Sequence, residues 1–152
     1  MRILTVDPGS QIMGYAILTD KKITDAGFFK FRGKWCYPKA CEIIESLSDI
    51  IESESSLFDA LVTERFYRSG GRGANVISEV RGIIMAVAAF FDIPFIDMHA
   101  KTVKKILGLS GNAGKEDIKK LVIKSTGKLI GKSLPYDVYD AIAIGLAYIR
   151  SL

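Results

Sequence analysis

Short apolar runs separated by polar turns occupy the first part of the chain, a pattern that favours β-strands over helices. Residues 2–7 form the first run, and residues 14–19 and 22–31 form the second and third. Because only a short polar connection separates the last two runs, we expect an antiparallel hairpin there. Together with the first strand it would make a three-stranded antiparallel meander.

In the next segment, apolar residues follow the helical period instead of forming short runs. Apolar residues recur at helical spacing over residues 37–54, with acidic residues between them. Residues 59–64 then form another short apolar strand that ends in a carboxylate, as the first strand does. A helix between two strands of one sheet implies a right-handed crossover, so we expect these two strands to be parallel neighbours.

The second half of the chain also contains both predicted helices and a predicted strand. Apolar positions over residues 75–91 cover most of the helix circumference, which is typical of a helix that is buried or paired with another chain. Residues 93–97 predict a fifth strand, at the sheet edge because it contains Pro94. Further helices are predicted over residues 100–107, 115–125 and 136–150.

These elements predict one α/β domain over residues 1–152. Its sheet would be five-stranded and mixed, with three antiparallel N-terminal strands followed by two parallel strands, and helices would flank it. A chain of 152 residues that is 49% hydrophobic is large enough to bury one full core.

Cysteine and histidine usage excludes several classes of protein. Cys36, Cys41 and the single histidine, His99, cannot supply a zinc-finger ligand set. No apolar run reaches the ~18 residues of a membrane span, and the N-terminus lacks the pattern of a secretory leader. We therefore expect reduced thiols, no membrane association and a cytoplasmic location.

Charge is unevenly distributed, although the net charge is only +4. Residues 101–132 contain nine lysines and two acids, a balance of +7, whereas residues 34–59 contain two lysines and six acids, a balance of −4. Lysines can simply solvate helices. Nine within one third of the chain nevertheless favour a polyanionic partner such as nucleic acid.

Two of the predicted strands end in an acid. Asp7 and Glu64 close the strands that we expect to be parallel neighbours, so both carboxylates should reach the same edge of the sheet. Pro8 and Gly9 stop the first strand immediately after Asp7 and so present its carboxylate. A turn cap is the plainer explanation of an Asp at such a position.

Asp137 and Asp140 lie at the start of the last predicted helix. Three residues correspond to ~60° around the helix axis and ~4.5 Å along it, so both carboxylates should point the same way. The helix dipole also favours acids there, which is an alternative reason for their presence.

Helix-on-sheet packing can bring these four carboxylates to one point. Like charges repel there unless cations neutralise them or some acids stay protonated. All-oxygen ligands select Mg²⁺, with Mn²⁺ as a substitute, and not zinc. Two such ions ~4 Å apart are a standard device for hydrolysing a phosphodiester, so the sequence predicts a metal-dependent nuclease.

Five motifs, in order along nearly the whole chain, resemble the RuvC-type Holliday junction resolvases. They are Asp7-Pro8-Gly9 with Gly14-Tyr15, Glu64 before an aromatic loop, Glu79-Val80-Arg81-Gly82, Val103-Lys104-Lys105 with Ala113-Gly114-Lys115, and residues 137–144 (DVYDAIAI). The resemblance implies a ribonuclease-H-like fold, a homodimer, Mg²⁺ dependence and paired symmetric nicks across a four-way DNA junction. Such nicks would leave 5′-phosphate and 3′-hydroxyl ends.

The resemblance also implies roles for individual residues. The metal-binding acids would be Asp7, Glu64, Asp137 and Asp140, and the lysines near the scissile phosphate would be Lys104 and Lys115. An aromatic residue would stack on an unpaired base at the junction centre, either Tyr67 or Phe66 beside it. The helix over residues 76–91 would form the dimer. Charge, independently of the resemblance, predicts the remaining DNA contacts, because arginines and lysines can follow the phosphates: Arg68, Arg72, Arg81, Lys101 and Lys105.

Two departures from the family pattern limit what can be transferred. Residues 68–73 are unusually rich in glycine and arginine, and Tyr139 stands between two acids where a small residue is usual. We therefore transfer no preference for a cleavage-site sequence. Proteins that drive branch migration are possible partners for which the sequence has no direct signal.

Other functions compete with a junction resolvase. A relaxed branched-DNA endonuclease, such as a phage-type member, or an RNA-processing nuclease of the same fold would use the same acids. A branched-DNA binder without activity, or a fragment of a sugar-kinase-like ATPase, belongs to a different class. The intact set of four acids argues against the binder, and the chain length against the ATPase.

Two local patterns could mislead. The glycine-rich segment from Gly108 to Lys115 imitates a phosphate-binding loop, but its spacing is wrong and Glu116 replaces the Ser or Thr that would bind Mg²⁺. Asp97 also ends a predicted strand and is the main rival for a place in the acidic cluster. We expect it instead to cap the helix that follows.

Overall fold

The computed structural model describes residues 1–54, 57–65, 72–126 and 133–152, without the side chains of residues 72–74. The strands are β1 (Arg2–Asp7), β2 (Ile12–Thr19), β3 (Lys22–Lys30), β4 (Ala60–Arg65) and β5 (Phe95–His99). The helices are α1 (Tyr37–Ser53), α2 (Arg72–Phe90), α3 (Ala100–Ile106), α4 (Lys115–Thr126) and α5 (Tyr136–Ser151). These elements confirm the predicted succession of strands and helices. Across the described ranges, no helix is both long and apolar enough to cross a membrane.

The five strands form one mixed sheet in the order β3-β2-β1-β4-β5. The first three strands pair antiparallel, and β1–β4 and β4–β5 pair parallel, which confirms the predicted sheet and the edge position of β5. Asp20 and Lys21, between β2 and β3, both have positive φ (47° and 71°). That is the backbone of a tight hairpin turn whose twist matches the flanking strands.

Alternation along the strands divides the core into two layers. Ile3, Ala60 and Val62 face one side of the sheet and pack against α3, α4 and α5. Leu4 and Leu61 face the other side and pack against α1 and α2. The layer in which a strand residue lies therefore depends on its position in the strand, which also decides where the polar residues at the strand ends point.

Helix α5 lies unusually close to the sheet because glycines stand at two contact points. A Cβ added to Gly145 would lie 2.5 Å from Leu18 Cδ1 and 3.0 Å from Thr5 Cγ2. A Cβ added to Gly14, on β2, would overlap the main-chain carbonyl of Asp137 at the start of the helix. Only a residue without a side chain allows this approach, so glycine at both positions determines how close α5 comes to β1 and β2.

Candidate active site

Two strands deliver the first two acids to the same side of the sheet. Val6 pairs with Thr63, so Asp7 and Glu64 lie side by side at the carboxyl ends of β1 and β4. Both residues continue the alternate set that faces α5, after Thr5 and Val62 respectively. The parallel pairing therefore confirms the predicted meeting of these two strand ends.

Helix α5 delivers the other two acids. Asp137 lies in its first turn and Asp140 three residues later, so both project from one side of the helix. Tyr139, between them, is buried in the core, where the Nζ atom of Lys119 lies 5.3 Å from its ring centroid. The bulky residue is thus accommodated away from the acids.

All four acids line a single cleft with a volume of about 470 Å³. The other lining residues are Pro8, Gly9, Ser10, Gln11, Ile12, Ile77 and Lys115. Sequence reasoning did not assign the segment from Ser10 to Ile12 or Ile77 to the site. In the sequence, only proximity to Asp7 could have assigned Ser10 to Ile12 to the cleft. Nothing in the apolar pattern of α2 distinguishes Ile77 from its neighbours.

The carboxylates influence one another strongly. Burial and the charges of Asp140, Glu64 and Asp137 raise the pKa of Asp7 well above its usual value, while Lys115 opposes the shift. Burial and the charge of Asp140 likewise raise the pKa of Glu64. The cluster therefore favours bound protons or bound cations over four unneutralised negative charges.

Asp140 has the clearest shift of the four. Burial, together with the charge of Asp137, raises its pKa from 3.8 to about 6, even though Lys115 and Lys104 act in the opposite direction. Its side chain is 15% exposed, so little solvent is available to screen these charges.

Two lysines lower the pKa values of acids in this cluster. Lys115 Nζ lies 3.9 Å from Asp140 Oδ2, and the Lys115 side chain is 62% exposed, so it can also reach a ligand in the cleft. Lys104 lowers the pKa of Glu64 and of Asp140 without lining the cleft. The structure thus places both predicted lysines within electrostatic range of the acids.

The donor set fits a hard divalent cation. The cleft lining contains four carboxylates and neither His nor Cys, which suits Mg²⁺ or Mn²⁺. In the part of the chain that the structure describes, however, no three His, Cys, Asp or Glu side chains are grouped tightly enough to hold a metal ion as they stand. Metal binding at these acids therefore stays a prediction, and it requires the carboxylates to draw together.

Asp97 lies apart from the acidic cluster. It pairs with Thr63 across β4 and β5, so its side chain faces the opposite side of the sheet from Glu64. There Arg81 Nε donates to Asp97 Oδ1 at 3.1 Å, and a second guanidinium nitrogen contacts Oδ2. The expectation that Asp97 caps α3 is wrong, because the residue at that position is His99 and Asp97 is paired with Arg81.

The predicted DNA contacts differ in how they are placed. Lys101 and Lys105 are exposed on α3. Arg81 already has Asp97 as a partner, and its guanidinium carbon lies 5.5 Å from the Phe95 ring centroid, so a contact with DNA stays a prediction. The others lie outside the described residues or side chains: Phe66, Tyr67, Arg68 and Arg72.

A mixed sheet in this strand order, with acids from β1, β4 and α5 converging at one edge, defines a ribonuclease-H-like α/β domain. Comparison with known proteins agrees with this class. The solved structure of Thermus thermophilus RuvC has a TM-score of 0.82 at 19% sequence identity, covering 99% of this chain and 94% of that one. This likeness establishes the fold. The same TM-score relates the chain to Thermus thermophilus RuvC in complex with a Holliday junction substrate.

Sequence comparison is more specific. Residues 3–148 match the family described as crossover junction endodeoxyribonuclease RuvC. The protein of that name from Carboxydothermus hydrogenoformans is 30% identical, over 97% of this chain and 94% of its own length. The one from Trichlorobacter lovleyi is 29% identical, over 99% of this chain and 86% of its own length. The chain belongs to the RuvC family of crossover junction endodeoxyribonucleases.

Proposed function

We propose that this protein is a metal-dependent endonuclease that resolves four-way DNA junctions by paired symmetric nicks. The observation that carries the proposal is the convergence of Asp7, Glu64, Asp137 and Asp140 in one cleft. Family membership supports it, as does the solved structure of Thermus thermophilus RuvC in complex with a Holliday junction substrate. Hydrolysis would leave 5′-phosphate and 3′-hydroxyl ends.

The four carboxylates would hold Mg²⁺, or Mn²⁺ in its place, and two ions would suit four acids. When bound, such ions supply charge neutralisation at the scissile phosphodiester and favour ionisation of the attacking water. The raised pKa values of Asp7, Glu64 and Asp140 support the proposal, because a cluster that resists full ionisation is one that a divalent cation would stabilise.

Lys115 and Lys104 would act on the substrate phosphate. An exposed ammonium 3.9 Å from Asp140 can contact a phosphate oxygen that enters the cleft while it still compensates the acids. Lys104 contributes positive potential from α3, next to the exposed Lys101 and Lys105, which would follow the DNA backbone. An aromatic residue, Phe66 or Tyr67, would stack on an unpaired base.

A homodimer would supply the two active sites that paired nicks require. Met85 (47%) and Phe90 (82%) are the large apolar side chains exposed on the described part of α2, and Ile44 on α1 (44%) is exposed as well. Ile44 and Phe90 line an apolar hollow of about 270 Å³ between the two helices. These features support a dimer through the helix over residues 76–91.

A comparison of four substrates tests the proposed activity. Purified protein with Mg²⁺ should cut a synthetic four-way junction faster than a three-way junction, a replication fork or an RNA hairpin. Equal rates on forks and four-way junctions would favour the relaxed branched-DNA endonuclease. Cleavage of RNA alone would overturn the proposal.

Matched variants test the acidic cluster. Asp7→Asn should abolish cleavage and leave junction binding within about tenfold, since the charge of a metal ligand is removed and the DNA surface is not. Asp97→Asn is the control, because Asp97 also lies near the end of a parallel strand but faces away from the cleft. Full activity of Asp7→Asn would refute the metal site.

A further inference from the structure

Lys39, near the start of α1, is a lysine that the fold buries. It is 2% exposed, and it is the only charged residue among the buried residues of the described ranges. An ammonium removed from water costs several kcal/mol unless acceptors surround it. The structure supplies two main-chain carbonyls: Lys39 Nζ donates to the oxygen of Ser10 at 3.0 Å and to that of Gly33 at 2.6 Å.

The charge of Lys39 is compensated by these carbonyls and not by an acid. The ion pairs formed by the described residues do not include Lys39. A carboxylate can follow a lysine by changing rotamer, whereas a main-chain carbonyl moves only with the chain that carries it. The ammonium therefore constrains the path of two backbone segments.

Those segments meet at one side of the acidic cleft. Ser10 belongs to the connection between β1 and β2, which forms one wall of the cleft, and Gly33 belongs to the connection between β3 and α1. Gln11 joins the same two connections. Its Nε2 donates to the Gly33 carbonyl at 3.0 Å, and its own carbonyl accepts from the Phe31 amide at 2.8 Å. Lys39 and Gln11 together join the cleft wall to the body of the domain.

The wall needs such support because it begins one residue after a proposed metal ligand. Pro8 ends β1, and at Gly9 the chain turns so tightly that a Cβ would overlap the Ile12 carbonyl. A shift of Ser10 would be transmitted through two residues to the main chain of Asp7. Displacements of about 1 Å at a catalytic group can cost 10²-fold in rate.

We propose that Lys39 is a positioning residue of the nuclease site, whose ammonium holds the cleft wall at residues 8–11 through the Ser10 and Gly33 carbonyls. The inference rests on the proposed function, since the wall matters for catalysis only if the cleft is the active site. Lys39 itself touches neither the acids nor the space of the cleft.

A purely stabilising role would have a different consequence. Removing a buried ammonium relieves its desolvation cost, and Ser10 and Gly33 are not buried residues, so water can reach the carbonyls that lose their donor. Lys39→Met keeps the length of the side chain and removes the ammonium, so the domain should remain folded. The Ser10 carbonyl would then lack its donor, and only the hydrogen bonds of Gln11 to Gly33 and Phe31 would still hold the wall.

The test measures junction cleavage and junction binding for three variants. Lys39→Met should cut at least about tenfold more slowly at saturating junction, with the dissociation constant for the junction within about threefold of the unchanged protein. Lys39→Arg, which keeps the charge and several donors, should recover most of the rate. Lys34→Met removes an exposed lysine from the same connection and should cut at the normal rate.

A second measurement does not depend on catalysis. Lys39→Met should accelerate amide hydrogen exchange at residues 9–12 and at the Phe31 amide, which donates to Gln11, and should leave exchange in α5 unchanged. If Lys39→Met does not fold, Gln11→Ala tests the same connection, because it removes only the exposed side-chain bond to Gly33. It should give a smaller increase in the same exchange, which is the measurement for this variant because the Gln11 side chain itself lines the cleft.

The possible failures are distinguishable. A folded Lys39→Met with normal cleavage and normal exchange would overturn the positioning role while leaving the nuclease intact. A rate loss that Lys39→Arg does not recover, or that only matches a lost fraction of folded protein, would also overturn it. Absence of cleavage by the unchanged protein would refute the proposed function, and faster exchange in Lys39→Met would then still establish the constraint on the loop.

Discussion

The Thr5 hydroxyl on β1 donates a hydrogen bond of 2.8 Å to the main-chain carbonyl of Ala141 on α5. Thr5 precedes Asp7 by two residues on the same face of the strand, and Ala141 follows Asp140 directly. This bond therefore joins the two elements that carry three of the four cleft acids. The hydroxyl lies 3.2 Å from the Ala16 carbonyl as well, so the bond lies where α5 crosses β1 and β2.

Thr5→Val should weaken this connection without leaving a void. We expect the free energy of unfolding to fall by about 1 kcal/mol and the cleavage rate to fall by roughly tenfold, because α5 can shift relative to Asp7. Thermal unfolding and single-turnover cleavage measure the two effects. Thr24→Val is the control: it removes a hydroxyl that donates to Ile17 at 3.3 Å on the far strands, so it should alter stability only. Equal cleavage rates for both variants would contradict the role of Thr5.

Gly14→Ala should displace the start of α5. The added methyl group would overlap the Asp137 carbonyl, and because both groups lie on main chain, the helix has to move. We expect a loss of about 1–3 kcal/mol in stability and a larger relative loss of cleavage than of junction binding. Gly111→Ala, where a methyl group would meet no atom within 4 Å, should stay within about 0.5 kcal/mol. A Gly14→Ala protein as stable and active as Gly111→Ala would show that the approach of α5 is not constrained by this contact.

The pH dependence of stability should report the acidic cluster. The pKa of Asp140 is about 6 in the folded protein and near 3.8 in the unfolded chain, so between these values the folded state holds a proton that the unfolded state has released. Stability of the metal-free protein should therefore decrease as pH rises from 4 to above 6, by on the order of 3 kcal/mol from this group. The raised pKa values of Asp7 and Glu64 act in the same direction.

Denaturant unfolding in a chelator at several pH values would measure this effect. Asp140→Asn should reduce the dependence, and added Mg²⁺ should offset the loss at neutral pH if it binds the ionised cluster. A metal-free protein that becomes more stable between pH 4 and 7 would contradict the raised pKa values of the cluster.

Lys115→Met should move the pH profile of cleavage. Lys115 lowers the pKa values of Asp7, Glu64 and Asp140, so its removal should leave the acids protonated to higher pH and shift the rise in rate upward. We also expect a rate loss of about 10²-fold, from loss of the proposed contact with the phosphate. Lys120→Met removes the same charge from an exposed site on the same helix, so it should weaken junction binding without moving the profile. A shared profile for the two variants would contradict a special role for Lys115.

Much of this protein follows from local sequence pattern. The alternation in the first three strands, the helical period of α1 and α5, and the turn residues after Asp7 and Thr19 predict the elements and the mixed sheet, because each rests on interactions between residues close in the chain. The pairing of Asp7 with Glu64 also follows, since a helical crossover leaves few choices for two adjacent parallel strands. The spacing of Asp137 and Asp140 fixes their common direction.

Tertiary structure decided which polar residues share a site. Asp7, Glu64 and Asp97 all lie at or near the ends of strands, but the register between β4 and β5 turns Asp97 toward Arg81 on the opposite face, and a one-residue change in register would reverse this. The burial of Lys39 against the Ser10 carbonyl likewise depends on the packing of two segments that are 29 residues apart in the chain. Sequence pattern reflects contacts within a few residues, whereas these relationships arise from the packing of elements that are far apart in the chain.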